Sequence, residues 1–399
     1  MQAQHSNVTP LVTPEVLVQR AREMVPRLKA RAVQAETARR LPDETIAEMK
    51  EAGFFRVLQP KKYGGYEMDP QVFYDVQMTL AEGCMSTAWA YGVIGVHNWQ
   101  IALFDPRAAA DVWGGGDTSV LIASTYMPKG QVTPVEGGFR FSGRWGFSSG
   151  IDHCDWVFLG GLIFNQGQPP EYRTFLLPRS DFEVVDTWHT MGLKATGSND
   201  IIVKDVFVPE YRTHKATDGF MGTNPGRDTF TADLYKMPFG QIFVRAVSTA
   251  AIGGLQGALD TFLEFAKVRV GDMGNKTSEQ APAQLAASET AVAIDEMKLV
   301  LNRNFEVLMT KIRNKQPLDD IKQRLLFRHQ ASQVVERSAK HAYQLFSACG
   351  GRGIFTDFPL HRYMCDIMAA RGHYANNPEQ FGRNYGSVLL GRDNTDYFI

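Results

Sequence analysis

Residues 137–150 read Gly-Gly-Phe-Arg-Phe-Ser-Gly-Arg-Trp-Gly-Phe-Ser-Ser-Gly, and this stretch decides how the chain is read. Gly137-Gly138 is a turn signal. The run after it alternates, which predicts a strand with Phe139 and Phe141 on one face. An indole, Trp145, and two hydroxyls, Ser148 and Ser149, arrive where that strand opens. A flat ligand with an apolar face and a polar edge needs this mixture. The plain alternative is a strand edge whose hydroxyls only finish a turn.

Outward from that strand the texture changes twice. Residues from about 13 to 113 predict helices. Leu41-Pro42-Asp43-Glu44-Thr45 has the proline and first-turn acids of a helix start, and Gly53 is its stop. Asp69-Pro70 starts another helix. Ser86 is read as the cap of a third, very apolar one. Residues from about 119 to 209 carry short β-like runs between turn signals, as in a small all-β barrel or sandwich. The segment Glu210–Thr231 reads as a connecting loop or lid. Beyond Pro238 apolar residues return at helical spacing, most plainly in Gln284–Lys311 and Gln323–Leu345, and predict a four-helix bundle. The expectation is an α+β, mostly α chain with domains at 1–118, 119–215 and 216–399.

Composition narrows the function. The chain has 399 residues, 44% of them apolar, and a net charge of −1. Neither nucleic acid nor an anionic membrane is suggested as a partner. The start, Met1–Thr13, is polar and lacks the layout of a signal peptide. The apolar window Ser86–Phe104 is broken by His97, Asn98 and Gln100, which favours a buried helix over a membrane span. Cys84, Cys154, Cys349 and Cys365 show no Cys-x-x-Cys spacing and read as structural free thiols in a reducing cytoplasm. No Gly-x-Gly-x-x-Gly follows a strand and opens a helix, so no nicotinamide fold is visible.

Helix, then β, then helical bundle, together with particular motifs, resembles the acyl-CoA dehydrogenase fold. Gly192-Leu-Lys-Ala-Thr-Gly-Ser-Asn199, followed by Val203–Pro209, is similar to that family's β-domain signature. Ala348-Cys-Gly-Gly-Arg-Gly353 resembles its C-terminal glycine motif. Arg40–Thr45, Gly95–Trp99, Ala102–Asp105, Trp145–Gly150, Asp152-His153 and Tyr235–Pro238 resemble one branch more closely. That branch comprises the oxygenase components of two-component flavin-dependent phenol hydroxylases. The 4-hydroxyphenylacetate 3-hydroxylases and the phenolic secosteroid hydroxylases belong to it.

The resemblance implies a mechanism. Reduced flavin, FMNH2 or FADH2, is supplied by a separate NAD(P)H:flavin reductase. O2 adds to it as a C4a-hydroperoxide, which hydroxylates a phenolic ring ortho to its hydroxyl. His97 and His373 match the branch's catalytic histidines. An imidazole of ordinary pKa near 6.5 can take a proton from a phenol whose own pKa is about 10. On its own, a histidine in an apolar helix is more often a packed core residue. Ser148 or Ser149 is implied near flavin N5, with Ser148 supporting the oxygen adduct. Thr196 and Ser198 are implied at the ring's pyrimidine side, and Trp145 against the ring. Arg269 resembles the arginine that reaches the flavin phosphate across a subunit boundary. Gly350 and Gly351 fit close backbone approach to a phosphate or ribityl chain. His153 is read as orienting a turn or lining the pocket. His5, His214, His329, His341 and His361 are read as surface or structural. No metal spacing is seen. A homotetramer is implied by the fold.

Dehydrogenation in this fold uses a carboxylate, in many members after a C-terminal tyrosine. Here that stretch reads Arg371-Gly-His-Tyr-Ala-Asn-Asn-Pro378, and Ala375 cannot accept a proton. Other readings stay open. They are an oxygenase of the same branch acting on indole, sulfur or nitrogen, a dehydrogenase with a displaced base, and a catalytically silent flavoprotein.

Overall fold

The computed structural model describes residues 12–164, 167–271 and 274–399; His5 lies outside them. The N-terminal region is helical: α1 (Pro14–Ala38), α2 (Asp43–Glu51), α3 (Pro70–Gly83), α4 (Met85–Gln100) and α5 (Pro106–Trp113). Helix α2 begins after Pro42 with Asp43 and Glu44 in its first turn, and Gly53 follows its end at φ +82°. The N-cap of α4 is Cys84 rather than Ser86. Ser86 lies inside the helix, where its hydroxyl donates to Asp366 at 3.4 Å. Every residue of α4 is buried, which makes this helix the spine of the N-terminal region.

The middle of the chain is a single seven-stranded sheet, in the order β5-β6-β2-β1-β3-β4-β7. Its strands are β1 (Ile122–Val135), β2 (Gly138–Ser148), β3 (Trp156–Ile163), β4 (Glu171–Pro178), β5 (Glu183–Val185), β6 (Asn199–Pro209) and β7 (Thr213–Lys215). Only the β1–β3 pair is parallel. The two edge strands do not pair with each other, so the expected barrel is an open sheet. It is strongly curled nonetheless. Phe141 on β2 stacks on Phe175 on β4, with centroids 4.3 Å apart, although β1 and β3 lie between those strands. Twist and aromatic burial draw the sheet around one core without closing its ladder.

The first half of the segment read as a loop or lid contains β7 and α6 (Ala216–Met221). His214 on β7 is buried, bonds Asn224 Oδ1 at 2.9 Å and stacks on Phe104 at 5.2 Å. These contacts pin the segment to the sheet edge and to the helical region.

The remainder is helical: α7 (Phe239–Ala246), α8 (Ala250–Val268), α9 (Ala281–Arg313), α10 (Ile321–Ala348), α11 (Pro359–Arg371) and α12 (Pro378–Leu389). Helices α8 to α11 pack as a bundle, with α3 laid against α8. The stretch Phe239–Val268 is apolar enough by length and composition to cross a membrane, but 94% of that window is buried in the fold. All four cysteines are free and buried.

Candidate active site

The site is built on α4. Near its start Trp89 donates its indole N–H to Ser149 Oγ at 3.1 Å. Beside it, Ala90 and, one turn further on, Ile94 receive the Ser149-Gly150 turn. A Cβ on Gly150 would lie 2.5 Å from Ile94 Cδ1, and Gly150 also has φ +71°, so only glycine fits there. At the end of α4 stands His97. Trp89 and His97 are two turns apart, about 12 Å along the helix.

A bulge presents the serines. The β2–β6 register runs Trp145↔Ile201 and then Ser148↔Asn199, so β2 carries one extra residue there. Phe147 takes φ +66° and its ring is exposed, while Ser148 turns inward and is fully buried. Without the bulge, period two would send Ser148 outward. Ser148 Oγ has no hydrogen-bond partner within the chain.

The neighbouring hydroxyls form a directed chain. Thr196 donates to the Leu193 carbonyl at 2.8 Å. A hydroxyl has one proton, so Ser198 must donate to Thr196, at 2.6 Å, and Ser149 to Ser198, at 2.8 Å. Trp89 supplies the bond that Ser149 accepts. Every proton in this chain is committed, and each oxygen keeps spare capacity only to accept. Of the four hydroxyls at Ser148, Ser149, Thr196 and Ser198, only that of Ser148 is free to donate.

Trp145 does not fit the role read for it. Its ring is wholly enclosed in the curled sheet, 5.1 Å from Phe141, and its N–H meets the carbonyls of Met127 and Gly160 at 3.1 and 3.0 Å. Both faces are taken by protein, because alternation along β2 points it to the side of Phe141.

His97 is fully buried among aromatic rings: Phe158 at 5.4 Å, Tyr126 at 6.1 Å and Phe243 at 6.5 Å between centroids. Its Nδ1 is 3.1 Å from Gln100 Oε1, and its Nε2 has no partner. Burial pushes its pKa down to about 3, so the ring is neutral near pH 7. His373 packs edge-on to Trp89 and forms the wall of a cavity of about 420 Å³ together with Tyr374, Asn376 and Met368. Its Nδ1 accepts the Ala375 N–H at 3.1 Å, and burial lowers its pKa to about 4. That cavity is not lined by His97.

The other candidates lie apart. Arg269 is exposed at the end of α8. Gly350 and Gly351 are exposed, and a Cβ on either would meet nothing within 4 Å, so no atom of this chain demands glycine by crowding. Gly350 has φ +58°, which does favour it. His153 is tied to Asp43 at 3.3 Å and joins the turn after β2 to the start of α2. Ala375 occupies a buried position with no carboxylate. Asp366 is the only buried acid among the described residues, and its oxygens take the Leu193 N–H and the Ser86 hydroxyl.

Sequence reasoning passed over Trp89, Gln100 and Tyr126. Gln100 had a signal, since it lies three residues beyond His97 on the same helical face. Phe243 on α7 completes the aromatic set around His97.

The chain is similar to known proteins over nearly its whole length. Residues 14–105 match the acyl-CoA dehydrogenase N-terminal domain, and residues 246–378 match the acyl-CoA dehydrogenase C-terminal domain. The chain is 37% identical over 388 residues to the flavin-dependent monooxygenase, oxygenase subunit HsaA, of Rhodococcus jostii (strain RHA1), covering 96% of this chain and all of that one. It is 29% identical to the p-hydroxyphenylacetate 3-hydroxylase oxygenase component of Acinetobacter baumannii, over 96% of this chain and 91% of that protein. The crystal structure of the HsaA monooxygenase from M. tuberculosis superposes with a TM-score of 0.92 at 34% identity, covering 97% of this chain and all of that one. The chain belongs to the acyl-CoA dehydrogenase-fold family, in its branch of flavin-dependent monooxygenase oxygenase components.

Proposed function

We propose that this protein is the oxygenase component of a two-component flavin-dependent monooxygenase that hydroxylates a phenolic ring, ortho to its hydroxyl. One observation carries the reading. His97 is a buried, neutral imidazole with an unpartnered Nε2, enclosed by Tyr126, Phe158 and Phe243. These side chains present aromatic faces of the kind that pack on a substrate ring, and the bare nitrogen among them can accept a hydrogen bond from a phenol hydroxyl.

The residues fit a reduced flavin, FMNH2 or FADH2. Ser148 Oγ is buried with no partner in the chain, so an outside atom must satisfy it. Ser149, Ser198 and Thr196 retain lone pairs for N–H groups of a ring edge. Arg269 would meet a phosphate from a neighbouring subunit, and the open face at Gly350-Gly351 would admit a ribityl or phosphate group. Bound reduced flavin, with O2, supplies the oxygen atom that adds to the electron-rich ring. The chain's own residues prepare that ring. His97 accepts a hydrogen bond from the phenol hydroxyl at Nε2 and takes its proton only as the ring is attacked and that hydroxyl turns acidic, His373 contributes a hydrogen bond from its cavity wall, and the aromatic cage excludes water.

A displaced-base dehydrogenase is disfavoured by Asp366, whose oxygens are both engaged by the protein. A separate NAD(P)H:flavin reductase supplies the reduced flavin, and a cytoplasmic location belongs to the same reading. A homotetramer is supported by α9, where Leu285, Val292 and Leu299 recur every seven residues and are 58, 58 and 61% exposed.

The test is to mix the protein with reduced FMN or FAD, O2 and a panel of phenols, phenolic acids and fused-ring phenols. Catechol-type products are expected. No hydroxylated product from any phenol, with reduction of bound flavin by an acyl-CoA, overturns the reading.

A further inference from the structure

We propose that Gln100, itself gripped by Tyr126, is a positioning residue that locks His97 in one tautomer, with the proton on Nδ1 and a bare lone pair on Nε2. The inference rests on the function just proposed and adds what makes His97 a base rather than a hydrogen-bond donor.

The argument is one of donors and acceptors. Tyr126 donates its hydroxyl to Gln100 Oε1. That bond holds the amide with its oxygen toward the imidazole. His97 Nδ1 lies 3.1 Å from the same oxygen. A carbonyl oxygen only accepts, so Nδ1 must carry the hydrogen. The Tyr126 hydroxyl is also 3.3 Å from Nδ1 but has given its proton to Gln100. A neutral imidazole has one N–H, so Nε2 is left as an acceptor, and it is the nitrogen without a partner.

The arrangement at His373 is opposite. There Nδ1 accepts the backbone N–H of Ala375, so the neutral ring carries its proton on Nε2. The two imidazoles are therefore not interchangeable: one presents an acceptor and the other a donor. The phenol hydroxyl belongs at the His97 end. An acceptor oxygen, of the flavin, of bound oxygen or of a second substrate group, belongs at the His373 end.

Tyr126 is the one titratable side chain whose ring packs on His97 among the described residues; Phe158 and Phe243 are the others. Burial raises the Tyr126 pKa well above its ordinary value, so it remains a donor across the working pH range. Among the described residues no formal charge touches the imidazole. The hydrogen-bond direction at Gln100 is thus what chooses its tautomer.

Nitrogen NMR of the full-length protein labelled with ¹⁵N-histidine tests this without reference to activity, using His97→Ala to assign the signal. The expected result is an Nδ1–H tautomer near pH 7 that is lost or mixed in Gln100→Leu. An Nε2–H tautomer in the unsubstituted protein overturns the proposal. Turnover with reduced flavin and a phenol gives the second reading. Gln100→Leu should lower hydroxylation about tenfold or more while flavin oxidation continues, the electrons leaving as hydrogen peroxide. Gln100→Glu still accepts from Nδ1 and should rescue most hydroxylation. Its added negative charge should move the acid limb of the pH profile upward. Equal loss in Leu and Glu variants that bind flavin normally also overturns the lock. If no phenol is hydroxylated by any form, the proposed function fails, and the NMR result still decides the tautomer.

Discussion

The indole of Trp89 meets the imidazole of His373 edge to face, with ring centroids 5.7 Å apart. The same indole donates to Ser149 at the end of β2. One side chain on α4 thereby couples the hydroxyl chain of the sheet to the histidine that follows α11. Substituting residues around this junction should separate structural from chemical roles.

Ser148 and Ser149 are adjacent but should respond oppositely. Ser149→Ala leaves the Trp89 N–H without an acceptor in a buried setting and takes away the bond that Ser198 accepts, at a cost of about 1–3 kcal/mol. Its melting temperature should fall. Ser148→Ala removes a hydroxyl that has no partner in the chain, so the flavin-free protein should melt at or slightly above the unsubstituted value. With reduced flavin and substrate, Ser148→Ala should release more peroxide per oxygen consumed. Melting curves and oxygen-to-product ratios check both statements.

His373 has two tasks that substitution can divide. It is the N-cap of the turn Tyr374–Asn376, through the Ala375 N–H. Asn caps well, so His373→Asn should keep stability while losing the imidazole Nε2–H. His373→Ala loses both, and the missing cap should cost about 1 kcal/mol. Comparable stability of the Ala and Asn variants would contradict the capping role. Unchanged product yield in His373→Asn would remove His373 from the chemistry.

Asp366 should make stability depend on pH in an unusual direction. Its burial raises the carboxyl pKa to about 7, against 3.8 when exposed. The folded state therefore holds a proton that the unfolded chain releases. Stability from this group is present below about pH 4 and is lost as pH rises toward 7. Asp366→Asn keeps an acceptor for Leu193 and offers a donor to Ser86. Its melting temperature relative to the unsubstituted protein should be flat below pH 4, climb between pH 4 and 7, and level off above. A constant difference across that range would show that Asp366 does not titrate as the fold implies.

The buried histidines act with the opposite sign. His97, His153 and His373 have pKa values lowered by burial to about 3, 4 and 4. The unfolded chain takes up protons on them near pH 6.5 while the folded chain stays neutral. Stability is lost as pH falls from about 6.5 toward 4. Substituting His153 with Gln should flatten that limb of a denaturation-against-pH curve.

Val292 lies at the centre of the exposed stripe on α9. Val292→Glu should leave the monomer fold intact, because the side chain is outside the core, and should reduce the assembly measured by light scattering. An unchanged mass would place the subunit interface elsewhere.

The sequence by itself determined the order of helix, sheet and bundle, the starts of α2 and α3, and the residue types at the site. These follow from local rules: Pro42-Asp43-Glu44 and Asp69-Pro70 suit a first helical turn wherever they occur, and apolar residues at helical spacing in α9 and α10 need no partner to be seen. The tertiary structure decided the rest. Period two sends Ser148 outward, and only the pairing of β2 with β6 reveals the extra residue that turns it in. The same alternation hides Trp145 inside the sheet, although its position in the motif suggested a ligand contact. Trp89, Gln100 and Tyr126 gain their roles from hydrogen bonds between α4 and the sheet, and their direction depends on which oxygen already holds a proton. A linear reading has no access to that, because a donor becomes committed only when its acceptor is in place.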